Sequence, residues 1–193
     1  VACGPLGQGF AADADSCDVS LRRNRVRYTI KHTIETDVDS FWTKLFFDAE
    51  FNRALFQDFL GFTTYRVLEE HTEPNGVIRR RLDCSPKIEL PAPMRKIFGD
   101  SVGYVEVGRY EPAQHKYFVQ VLPKVGGDKL KSSTEIWAEP LGDKRCERVV
   151  AVDNTVKVFG LGTLIEGFIE QQTRDLYARA ADFTNRWIRD KGL

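Results

Sequence analysis

Apolar and polar positions alternate strictly from Arg25 to Ile34. Val26, Tyr28, Ile30, His32 and Ile34 share one face; Arg25, Arg27, Thr29, Lys31 and Thr33 share the other. Period two with a charged outer face predicts a half-buried strand. The period then changes. Thr36 and Asp37 supply helix-start chemistry, and Phe41, Trp42, Leu45 and Phe46 follow at helical spacing. A second short helix is predicted from Asp48, with Phe51, Leu55, Phe56 and Phe59 apolar and Gly61 placed to end it.

Strand patterns follow. Thr63–Glu70 and Val77–Asp83 flank Pro74-Asn75-Gly76, and an Asn-Gly pair predicts a hairpin whose two turn residues both take positive φ. The segment from Leu90 to Gly99 breaks the pattern and has room for one helical turn. Strands resume at Val102–Tyr110, Lys116–Leu122, Leu130–Ala138 and Arg148–Val158, joined by Glu111-Pro112, Gly126-Gly127-Asp128 and Pro140-Leu141-Gly142-Asp143. The end of the chain reads as one long helix, from Leu161 to Arg189. Leu161, Leu164, Ile165, Phe168, Ile169, Leu176, Ala180, Phe183 and Trp187 form its apolar stripe, interrupted near the middle by Gln172 and Thr173.

The predicted fold class is α+β: one strand, two short helices, six more strands and a long helix. An antiparallel sheet cannot bury its inner face alone, so the long helix must pack across it. A curved sheet gripping one helix leaves a gap, closed at one end by the short helices, and such gaps suit apolar ligands.

Composition narrows the function. The 193 residues are 42% hydrophobic and 29% charged, the profile of a globular chain. Lys and Arg (28) balance Asp and Glu (28), without the positive surplus expected of a nucleic-acid binder. No apolar run approaches the roughly 18 residues of a membrane helix. Of four cysteines, none forms a C-x-x-C pair, so no zinc site is expected. Cys84 and Cys146 fall in strands and read as buried, inert thiols. Cys3 and Cys17 can pair in an oxidising compartment, although a reduced one is the default reading.

The first 20 residues hold three aspartates and no Lys or Arg, and residues 1–24 read as a flexible leader before a domain at 25–193. Removal of an organelle transit peptide and simple trimming would both leave such a start. The compartment therefore stays open between the cytoplasm and an organelle lumen or stroma.

The order of elements resembles the helix-grip superfamily (START-like, or SRPBCC), which includes START lipid-transfer domains, polyketide cyclases and the birch-pollen-allergen proteins. The similarity is to an uncharacterised branch of the polyketide-cyclase and lipid-transport type. It rests on the opening strand, the Asp39-Ser40-Phe41-Trp42 helix, the LPAPMRKIFGD break (Leu90–Asp100), the VGYVEVGRYEP strand (Val102–Pro112) and the final amphipathic helix. It covers residues 25–190. What it implies is the curved seven-stranded sheet around a C-terminal helix, with a cavity between them. It brings no catalytic motif and no cofactor.

Strand parity then selects candidate residues. The inward faces are Val26, Tyr28, Ile30, His32 and Ile34; Ile78, Arg80 and Leu82; Val102, Tyr104, Glu106 and Tyr110; Ser132, Thr134 and Ile136; and Val150, Val152, Asn154, Val156 and Val158. The ligand-binding candidates are His32, Arg80, Tyr104, Glu106 and Asn154 from the strands, with Phe168 and Gln172 from the helix. Arg80 and Glu106 are expected on neighbouring strands, as a salt bridge, as a solvated rim, or as a charged anchor in which Arg80 holds a ligand carboxylate or phosphate. His32 is expected beside Asn154. Arg79, Arg81, Arg95 and Lys96 suggest a basic patch for transient membrane-surface contact, with Phe159 and Leu161 as an apolar tip. The leading expectation is noncatalytic binding or transfer of a hydrophobic small molecule of lipid or isoprenoid class. An accessory subunit of a protein complex comes second and a cyclase-like enzyme third.

Overall fold

The computed structural model describes residues 24–99 and 102–193; residues 1–23 of the leader, with Cys3 and Cys17, lie outside the described residues. Strand β1 is Asn24–Ile34. Helix α1 starts at Val38–Ser40 and continues in π-helical form through Phe41–Phe46. Helix α2 starts at Ala49–Arg53 and continues the same way through Ala54–Phe59. Then come β2 (Thr64–Thr72), β3 (Ile78–Ser85), helix α3 (Ala92–Phe98), β4 (Tyr104–Glu111), β5 (Lys116–Pro123), β6 (Leu130–Pro140), β7 (Cys146–Val156) and helix α4 (Gly162–Lys191).

The seven strands form one antiparallel sheet in the order β1-β7-β6-β5-β4-β3-β2. Strands β1 and β2 are thus the two edges, although they are consecutive in the chain. The α1–α2 segment has to carry the chain across the whole width of the sheet, which is why two helices and not a turn join them. Helix α4 lies against β1 and β7. The fold is the predicted helix grip.

Asp37 and Asp48 cap α1 and α2, each carboxylate accepting from the backbone N–H three residues on, of Ser40 and Phe51. Both helices were expected as ordinary α-helix, but each carries i→i+5 hydrogen bonds, from Phe47 N to Trp42 O and from Leu60 N to Leu55 O. A π turn puts residues five apart on one face, where α-helical winding would separate them. Trp42 and Phe47 stack with ring centroids 6.1 Å apart, and both rings reach Tyr110 of β4. The wide turn gathers an aromatic cluster that an α-turn would split.

The β2–β3 hairpin forms, but its turn differs from the expected one. Gly76 has φ +83°, whereas Asn75 does not take positive φ. Glu73 N donates to Val77 O and Gly76 N to Glu73 O, a longer turn closed by one left-handed glycine. Proline at position 74 explains this, because its ring holds φ near −65°. A bulge at Leu68 shifts the β2–β3 register, on an edge strand that bears none of the candidate residues.

The buried apolar residues divide into two clusters. The larger joins α1, α2 and the C-terminal half of α4 to the sheet; the smaller gathers Leu90, Met94, Phe98, Val156 and Ile165. Leu164 departs from the predicted stripe and is exposed. Cys84 and Cys146 are buried and unpaired, and burial pushes their thiols up to about 12 and about 11. Their burial matches the expectation, and the raised thiols disfavour the reactive thiolate.

Candidate functional site

Between the two clusters the sheet and α4 enclose a cavity of about 250 Å³, while Arg174 still reaches β1, donating to Thr29 O at 3.3 Å. Its walls are mostly apolar: Val119, Val121, Ile136 and Val152 from the sheet, Phe168, Ile169 and Leu176 from α4, and Leu90, Met94 and Phe98 from the α3 segment. The interruption of the α4 stripe now has a cause. Gln172 and Thr173 line this cavity alongside Phe168, Ile169 and Leu176, so the polar break in the stripe falls where the helix faces open space and not packed side chains. Asn154, Ser132 and Thr134 face them from β7 and β6. Asn154 is 1% exposed, and its Oδ1 has no hydrogen-bond partner among the described residues.

A second, deeper chamber of about 130 Å³ lies toward α1 and α2. Tyr104, Glu106, Ile136, Leu176 and Tyr177 line both spaces and form the wall between them. The chamber carries the charged groups, with Arg80, Arg148, Tyr65 and Asn52 also in its lining. Glu106 is half-buried on the wall of both spaces, and burial raises its carboxyl above the usual range, against lowering by the Tyr117 hydrogen bond and by Arg80. Tyr117 Oη donates to Glu106 Oε1 at 3.1 Å. The phenols of Tyr65, Tyr104 and Tyr177 are all raised chiefly by burial and stay neutral donors.

Glycine at position 108 makes the Tyr117 contact available. Tyr117 pairs with Tyr110 in the β4–β5 register, and its ring crosses β4 over Gly108 to reach Glu106. A Cβ built on Gly108 would lie 1.7 Å from Tyr117 Oη and 2.1 Å from its Cζ. Only glycine leaves that slot open.

Five of the seven candidates line the larger cavity: Tyr104, Glu106, Asn154, Phe168 and Gln172. Arg80 belongs to the chamber. It does sit on the strand next to Glu106, but the register sets it opposite Gly108 and sets Glu106 opposite Leu82, and the two make no ion pair. Arg80 instead donates to Tyr65 Oη at 3.3 Å and Phe46 O at 3.4 Å. Its Nε stands 3.2 Å from Glu70 on β2, at ion-pair distance but without hydrogen-bond alignment.

His32 is the misplaced expectation. Register pairs it with Arg148, while Asn154 faces Val26, so the two are not neighbours, and His32 lines neither space. Burial, and then the Arg148 charge, lower its pKa. The basic patch also changes character, since Arg79 pairs with Glu73 and Arg81 with Glu69 on the exposed surface. Phe159 is 89% exposed, as a surface tip requires, but Leu161 packs against the smaller apolar cluster.

Arg148, Tyr65, Tyr117 and Tyr177 also line or support these spaces, beyond the residues that strand parity selects. Arg148 shares the parity of Val150 and Asn154, and extending the inward face of its strand by one step reaches it. Tyr117 and Tyr65 have the composition of ordinary half-buried strand residues; only the cross-strand register shows what they touch.

Residues 29–188 match the model of the family described as protein of unknown function DUF2505. The chain belongs to that family. No curated protein matches this DUF2505 chain. Solved structures do match it in fold. Norcoclaurine synthase from Thalictrum flavum, in complex with dopamine and hydroxybenzaldehyde, superposes with a TM-score of 0.62 at 16% identity, covering 95% of this chain and 98% of the synthase. The ZhuI aromatase/cyclase from Streptomyces sp. R1128 gives 0.58 at 15% identity, over 84% and 96%. A START superfamily protein from Mycobacterium smegmatis gives 0.51 at 17%, over 81% and 92%. These likenesses establish a START-like fold for the family member described here. Among the described residues no helix is long and apolar enough to cross a membrane.

Proposed function

We propose that this DUF2505 protein binds a hydrophobic small molecule, of lipid or isoprenoid class, between the sheet and α4. The observation that carries the reading is the cavity itself: an apolar space held open between two well-packed clusters, with a few convergent polar groups on its wall. The unpartnered Asn154 Oδ1 supports it, because a buried acceptor left without a donor costs about 1–3 kcal/mol. At about 250 Å³ the space lies near the lower edge of the usual range of ligand pockets, about 300–1,000 Å³. It suits a single chain or a small ring system better than a two-chain phospholipid.

The structural neighbours include an aromatase/cyclase and a synthase in complex with dopamine and hydroxybenzaldehyde, so this fold accommodates small molecules and one fold can serve more than one function. The protein is read as a binder. The test is native mass spectrometry of the purified chain followed by organic extraction. A stoichiometric apolar passenger is expected, and Ser132→Phe, which fills the cavity from β6, should lose it while remaining folded. A passenger retained by Ser132→Phe would refute this location, and a converted product in the extract would replace binding with catalysis.

A further inference from the structure

Burial of charge in the deeper chamber is unbalanced. Arg148 is 6% exposed, and among the described residues no carboxylate lies within ion-pair distance of it. Its Nη2 donates to Tyr177 O at 2.8 Å and meets His32 Nδ1 at 3.3 Å, and its Cζ stands 5.0 Å from the Tyr177 ring centroid. Its Nε has no partner. Burial pulls its pKa down to about 10, which still leaves it cationic at neutral pH. A buried guanidinium without a counter-charge is costly, and proteins retain such groups where something pairs with them.

The rest of the lining points the same way. Arg80, 4% exposed, is a second guanidinium on this chamber, and its counter-ion Glu70 sits on the exposed edge strand β2. Tyr65, Tyr104 and Tyr177 add hydroxyls. Glu106 is the single acid in the lining; its environment favours the neutral form, and Tyr117 already donates to one of its oxygens. The chamber is rich in donors and poor in acceptors. It adjoins the apolar cavity across a shared lining of five residues, which sets the Arg148 chamber directly beside the space that would hold an apolar body.

We propose that the chamber is an anion subsite and that the ligand is an amphipathic carboxylic acid, its apolar body in the cavity and its carboxylate against Arg148. This rests on the cavity reading above and adds the head group to it. A carboxylate fits the demand better than a phosphate: one missing negative charge, a planar fork on Arg148, and a space of about 130 Å³. The alcohol of the same chain would fill the apolar cavity equally and leave Arg148 unpaired.

The test is isothermal titration calorimetry of the full chain with dodecanoic acid, dodecan-1-ol, dodecylamine and dodecyl phosphate, each below its micellar concentration. The acid should bind on the order of tenfold or more tightly than the alcohol, the scale of one charge-assisted hydrogen bond, and the amine more weakly than both. In Arg148→Met the acid should lose that advantage while the alcohol binds as before. Equal binding of acid and alcohol to the wild-type protein overturns the subsite but leaves the cavity reading standing. Binding of none of the four overturns the cavity reading and this one together. Phosphate tighter than acid overturns the choice of carboxylate, and an acid preference that survives Arg148→Met overturns the role of Arg148. Should Arg148→Met fail to fold, Arg148→Lys, which keeps the charge without the fork, replaces it and should retain a reduced preference; an undiminished one would again count against the fork.

Discussion

Gly108→Ala tests the architecture around Glu106 with a single methyl group. The added carbon would meet Tyr117 Oη at 1.7 Å and Cζ at 2.1 Å, distances no side chain tolerates. Tyr117 is 1% exposed and cannot swing into solvent. Its ring is held edge-on by Phe46 at 4.9 Å and Phe47 at 6.1 Å between centroids, so displacement propagates into the α1 aromatic cluster. Forcing an extra group into such packing costs about 1–3 kcal/mol. Losing the Tyr117 hydrogen bond leaves the Glu106 carboxyl unsatisfied, for a further ~1–3 kcal/mol. A total of about 3 kcal/mol is expected. For a domain of this size that lowers the melting temperature by about 6–12 °C. Urea and thermal denaturation measure it, and the decisive comparison is a double-mutant cycle with Tyr117→Leu, whose side chain no longer spans β4. In that background the cost of Gly108→Ala should fall below about 1 kcal/mol. A loss under about 1 kcal/mol in the wild-type background, or costs equal in both, would show that the glycine is not there for the tyrosine.

Two further expectations concern the polar groups of the cavity. Folding favours the protonated form of Glu106, so its contribution to stability is full below the unfolded-state value of about 4.3 and declines as pH rises through the folded value. Glu106→Gln cannot ionise, and in urea titrations from about pH 4 to pH 8 it should gain steadily on the wild-type protein; a pH-independent difference would mean that the carboxyl is solvated. Gln172→Leu should raise the melting temperature of the empty protein, because it removes a polar group from the wall, and should weaken a ligand that hydrogen-bonds there. No change in either quantity would place Gln172 toward solvent.

The elements of this chain are written locally. The alternation of Arg25–Ile34, the caps Asp37 and Asp48, and the stripe along α4 each follow from residues a few positions apart, and every predicted strand is present with ends moved by only a few residues. The START-like fold follows from their order, since a sheet with one apolar face and a single long amphipathic helix have one way to cover each other. Parity also carried Tyr104, Glu106 and Asn154 to the cavity wall, because a strand's two faces are fixed once one residue is assigned. Pairing across strands is another matter. That His32 meets Arg148 and not Asn154, that Tyr117 passes over Gly108 to Glu106, and that Arg80 turns to Glu70 all depend on register between segments far apart in the chain. Register is decided by how turns, the edge bulge and core packing settle together, and alternation within any one strand holds no trace of it. Tertiary structure alone decided that Arg148 is buried without a counter-charge, because a charge balance belongs to a volume and not to a segment.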